Sequence, residues 1–62
     1  MTEQEILKIM AEAKRQVEAE ARASKAYRYE DMRERKIKEI YVFYPEIAEL
    51  TAGKFKELWD AA

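Results

Sequence analysis

A single glycine, Gly53, and a single proline, Pro45, leave this 62-residue chain few means of turning back on itself sharply. Tight turns and hairpins draw on those residue types for their backbone angles. A sheet is therefore hard to build here, and helix is the remaining regular structure. Ala, Glu, Lys, Arg, Leu, Gln and Met, the strong helix formers, supply most of the N-terminal two thirds.

Helix boundaries follow from caps and phase. Thr2 stands three residues ahead of Glu5, the spacing of a capping box in which the hydroxyl accepts from the Glu5 N–H. The apolar stripe that follows, Ile6, Met10, Ala13, Val17 and Ala21, is spaced by three and four, and Leu7 and Ile9 widen it at the start. A later stripe, Ile37, Ile40, Tyr41 and Tyr44, has the same spacing. At about 100° per residue it arrives on roughly the opposite side of a continuous helix. A strict heptad does not reconcile the two, because its seam would hold Gln16, Glu20, Glu30 and Glu34.

The chain is thus expected to break near residues 24–30, with Asp31 and Glu34 as a second capping box. Residues 40–44 are β-branched or aromatic throughout and also suit a strand, but no second segment matches them as a pairing partner. Pro45 suits the first turn of another helix, since its missing N–H is not needed there. That helix would carry Ile47, Leu50, Thr51, Phe55, Leu58 and Ala62 on one broad face. Gly53 either costs it about 1 kcal/mol from the interior or caps a short helix over 45–52 ahead of a last one. The expectation is all-α: a small three-helix bundle forming one domain over 1–62, with helices at about 3–23, 31–44 and 46–61. The alternative is a kinked long helix followed by one or more C-terminal helices.

A chain of this length buries only about 60% of the surface that its unfolded form exposes. Without cysteine or histidine it has neither a disulfide nor a plausible zinc site to support it. Its support must come from well-formed helices, from self-association or from a partner. Twelve Lys plus Arg nearly cancel thirteen Asp plus Glu, so no strong overall field draws it to nucleic acid or membrane. The apolar run 40–44 is far too short to span a bilayer. The opening Met1-Thr2-Glu3-Gln4-Glu5 lacks the layout of a secretion signal. The expectation is a soluble chain without membrane association, compatible with a reducing cytoplasm or with recombinant use.

Proton-transfer chemistry near neutral pH usually needs a histidine, or a carboxylate or lysine whose pKa burial has moved. Here histidine and cysteine are absent, the one serine is Ser24, and adjacent acids such as Glu30 and Asp31 sit in a chain too small to enclose a pocket. Calcium-loop spacing and a glycine-rich phosphate cradle are also missing. These residues point away from an enzyme, and no catalytic, metal or cofactor site is expected.

Two segments remain as binding candidates. Between residues 22 and 38, seven basic residues face three acidic ones. Arg28, Arg33, Arg35 and Lys36 could there contact phosphates while Tyr27 or Tyr29 stacks on a base. Acidic flanks on both sides disfavour a long polyanion, and a solvated helix face with pairs such as Glu34 to Lys38 is the favoured reading. The aromatic cluster is the stronger signal. If Tyr41 and Tyr44 face inward with Ile37 and Ile40, then Val42 and Phe43 face outward. Large neighbouring apolar side chains that face solvent mark interaction sites; the alternative is that the third helix packs over Phe43 and makes it core. Val42 and Phe43, with Lys36, Glu39 and Tyr44 beside them and Trp59 in support, are the expected protein-binding residues.

Phe55 and Trp59, four apart, resemble the Phe-x-x-x-Trp anchor pair of a tumour-suppressor activation-domain peptide that fills the groove of its ubiquitin-ligase partner. The likeness covers two residues, and where a third apolar anchor would stand there is only Ala62, so Phe55 and Trp59 are expected as core and rim of the third helix. Over its whole length the chain resembles computationally designed or redesigned helical miniproteins in general manner, with capped Glu/Lys/Arg/Ala helices, no Cys or His, and a dense aromatic patch. Its first connection lacks the glycine or asparagine such sequences carry there. The resemblance implies a binder that offers a rigid helix face and an aromatic anchor to a folded protein. Nucleic-acid binding and a self-assembling helical unit are the alternatives.

Overall fold

The computed structural model describes residues 1–24 and 28–62, and every described element is an α-helix. These are α1 (Glu3–Ala23), α2 (Tyr29–Phe43), α3 (Pro45–Ala48) and α4 (Ala52–Ala61).

Helix α1 starts at Thr2, whose Oγ1 accepts from the Glu5 N–H at 3.2 Å. Glu3 and Glu5 in its first turn and Arg22 in its last complement the helix dipole. Its buried residues are Ile6, Met10, Ala13 and Val17, the expected stripe without Ala21. Ser24 leaves the helix with extended backbone, and Arg28 is again extended before α2. The chain therefore quits the helix at both ends of the first connection, and α1 and α2 are separate helices. Lys25, Ala26 and Tyr27, within the connection expected over 24–30, lie outside the described residues.

The second capping box does not form at the expected place. Helix α2 begins two residues earlier, at Tyr29, with Arg28 as its N-cap and no side-chain cap hydrogen bond. Asp31 thus lies inside the first turn, where with Glu30 it acts on the dipole instead of capping an N–H. Met32 and Ile40 are buried, and Ile37 and Tyr41 lie half-buried against the core. Tyr44, expected to face inward with them, is 37% exposed.

The single third helix expected over 46–61 is two helices. Helix α3 is one turn, begun by Pro45 and carrying Ile47 fully into the core. Residues 49–51 then break the helix, because the Thr51 hydroxyl accepts from the Lys54 N–H at 3.1 Å and caps a new start. Gly53 falls in the first turn of α4 without positive φ, so it is neither an interior glycine of a long helix nor a left-handed cap.

The directions of the helices follow from named contacts. Lys54 lies 4.0 Å from Glu3, and the Lys14 ammonium donates to the Trp59 carbonyl at 3.2 Å, so α4 runs parallel to α1. Ile9 and Ala13 line one recess with Ile40 and Tyr44, whereas Val17 and Glu20 line the next with Met32, so α2 runs antiparallel to α1. The amino group of Met1 lies 3.1 Å from the Glu46 carboxylate and ties α3 to the start of α1. The core gathers Ile6, Met10 and Ala13 from α1, Ile40, Ile47, and Phe55, Leu58 and Trp59 from α4. Within it Phe55 stacks on Trp59 at 6.1 Å between centroids and lies edge-on to Tyr41 at 5.6 Å.

Candidate functional site

Helix α4 covers one flank of α1 and leaves the seam between α1 and α2 open on the other. The cause is local. In the buried stripe of α1, Ala13 is a methyl group among Met10, Val17 and Ile6, and opposite it stands Ile40. A groove of about 480 Å³ opens there. Ala13 and Ile40 floor it, half-buried Ile9 continues the floor, and Phe43 and Tyr44 close one end. Lys8, Glu12 and Gln16 form the α1 lip, and Lys36 and Glu39 the α2 lip. A second recess of about 290 Å³ continues the seam toward Val17, Glu20, Met32 and Arg35, sharing Gln16, Lys36 and Glu39 with the first.

Four of the six residues expected to bind protein line this groove: Lys36, Glu39, Phe43 and Tyr44. Lys36 and Glu39 face each other at 3.6 Å on one lip. Phe43 is 68% exposed, and Val42, 75% exposed, stands just outside on the same helix end. Trp59 is elsewhere. It is 3% exposed, stacked on Phe55 within the core, and offers no surface to a partner. The anchor pair resembled by Phe55 and Trp59 is thus used internally, since both rings are buried.

The α1 half of the site was not among the residues expected from the sequence. Its signal was present: Lys8, Glu12 and Gln16 form an i, i+4, i+8 polar row beside Ile9 and Ala13, and an alanine between the larger Met10 and Val17 marks a recess.

Glu12 is the most engaged group on the lip. Hydrogen bonds from Arg15 and then Gln16, together with the Arg15 charge, hold its carboxyl below the usual carboxylate range. Such a group is firmly ionised at neutral pH and acts as an acceptor, unlike a proton donor poised for chemistry. Among the described residues no cluster of three or more acids, histidines or cysteines could hold a metal ion.

The nucleic-acid candidates are not drawn into one face. Arg33 and Arg35, two residues apart, project about 200° apart around α2. Arg33 is half-buried with its Nε enclosed and without a hydrogen-bond partner, while Arg28 and Arg35 are exposed. Lys36 is paired with Glu39, Tyr29 is half-buried, and Tyr27 lies outside the described residues. No described helix is long and apolar enough to cross a membrane.

Comparison with family models, curated proteins and solved structures finds no match to this chain.

Proposed function

We propose that this chain is a non-catalytic protein-interaction module whose contact surface is the Phe43 end of the α1/α2 groove. The observation that carries the reading is the exposure of Phe43 and Val42 beside an apolar floor. Aromatic side chains bring much contact area for few rotors and are enriched at interface centres. An apolar recess ringed by charges of both signs is the usual form of such a surface, with an anchoring centre and a polar rim. The surface is carried on two formed helices, α1 and α2, so binding orders side chains more than main chain.

The test is site-specific photo-crosslinking in cells that express the chain. A photoreactive side chain at Val42 should yield a discrete protein adduct that Phe43→Ala abolishes. The same group at Glu18, exposed on α1, is the control. Equal labelling from both positions, or no protein adduct from position 42, overturns the reading.

A further inference from the structure

The surface around Phe43 is complementary to itself. Lys8 and Glu12, of opposite charge, stand four residues apart on one lip of the groove, so they occupy successive turns of a single stripe of α1. The level midway between them is that of Met10. Phe43 lies close to this level, because α2 runs antiparallel to α1 and Ile40, three residues before Phe43, packs in one cluster with Ala13, three residues after Met10. A two-fold axis crossing the helices at this height sets α1 antiparallel to its copy. It exchanges the positions of Lys8 and Glu12 and brings two Phe43 rings together at the axis. One operation therefore satisfies both the charges and the exposed aromatic.

We infer that the occupant of this groove is a second copy of the chain, docked isologously about such an axis. Each Lys8 faces Glu12 of the second copy, and the paired Phe43 rings cover the two recesses. The inference rests on the reading of this surface as protein-binding, and names the partner. Charge supports it. The net charge of −1 sets up little repulsion between copies. Lys8 has no ion-pair partner among the described residues. The Glu12 carboxylate keeps acceptor positions beyond those that Arg15 and Gln16 take.

Sedimentation equilibrium of the full chain from micromolar to millimolar concentration tests this. The mass should rise to that of a dimer. Phe43→Ala should hold the chain monomeric without loss of helicity. Lys8→Glu or Glu12→Lys alone turns two attractions into repulsions and should weaken the dimer roughly tenfold. The double exchange Lys8→Glu/Glu12→Lys recreates the pairs reversed and should restore association. A wild-type monomer at millimolar concentration overturns the inference, as does a dimer that tolerates Phe43→Ala or is not recovered by the double exchange. A monomer that still crosslinks a foreign protein through position 42 overturns the second copy alone, while a monomer without any adduct overturns both readings.

Discussion

The Lys14 ammonium donates to the main-chain carbonyl of Trp59 at 3.2 Å, across 45 residues of sequence. Trp59 lies in the last turn of α4, where carbonyls have no intrahelical donor and the dipole places negative charge. Helix α4 has no basic residue of its own in that turn. Lys14 supplies the missing cation from α1 and fixes how far α4 slides along it. Lys14→Met keeps the half-buried stem and removes the donor. It should destabilise the fold by about 1 kcal/mol, a fall in melting temperature of about 4–8 °C. Thermal unfolding followed by circular dichroism measures this, and an unchanged midpoint would show that water replaces the ammonium without loss.

Gly53 offers the opposite case, a residue whose replacement should help. A Cβ built on it meets nothing within 4 Å, and its φ is not positive, so alanine fits without strain. Gly53→Ala should stabilise the chain by about 0.4–1 kcal/mol, chiefly by restricting the unfolded chain. The rise should appear as a higher urea midpoint at an unchanged slope. A loss of stability would mean that the first turn of α4 needs the freedom of glycine.

How far the fold was legible in the sequence depended on whether the deciding signal was local. The phase reversal between Ile6 to Val17 and Ile37 to Tyr44 identified two separate helices correctly, because hydrophobic phase is a property of each helix by itself. Thr2 was legible as a cap for the same reason. Asp31 was not: its spacing to Glu34 suits a cap, but the helix has already begun at Tyr29, which leaves Asp31 within the first turn. The break at Thr51 was legible in principle, since threonine ahead of Lys54 can cap, yet the apolar face running through Ile47, Leu50 and Phe55 masked it. How deeply Trp59 is buried, and that the recess marked by Ala13 stays open, were beyond local reading. Both depend on which helix lies over a residue, and α4 lies on the other flank of α1.

Trp59 and Phe43 should accordingly separate cleanly when each is truncated. Trp59 is enclosed by the core and stacked on Phe55, so Trp59→Ala leaves a large cavity and should cost about 3–5 kcal/mol. For a domain of this size that is a large share of total stability. Phe43 is mostly exposed at the end of α2, so Phe43→Ala should change monomer stability by no more than about 0.5 kcal/mol. Denaturant titrations at low micromolar concentration, where association does not contribute, make the comparison. Equal losses at both positions would place Phe43 within the folded core and remove it from the binding surface.

Stability should also depend on pH through Glu12. Its carboxyl is held below the ordinary value by hydrogen bonds from Arg15 and Gln16 and by the Arg15 charge, so the folded chain binds that proton less readily than the unfolded chain. The sign follows by linkage. The contribution is fully present above the unfolded value near 4.5, and is lost as pH falls through the lower folded value. At higher pH both states are ionised and this group adds no slope. Glu12→Gln removes the titrating group and should flatten the acid limb of the stability profile below about pH 4.5 relative to the parent chain. Urea midpoints measured for both proteins from neutral pH down through that limb provide the comparison. The same substitution should weaken the proposed dimer at neutral pH, where an amide at this position offers Lys8 of the second copy a dipole in place of a charge. An acid limb identical in both chains would show that the Arg15 and Gln16 contacts do not outlast solvent exchange at this exposed position.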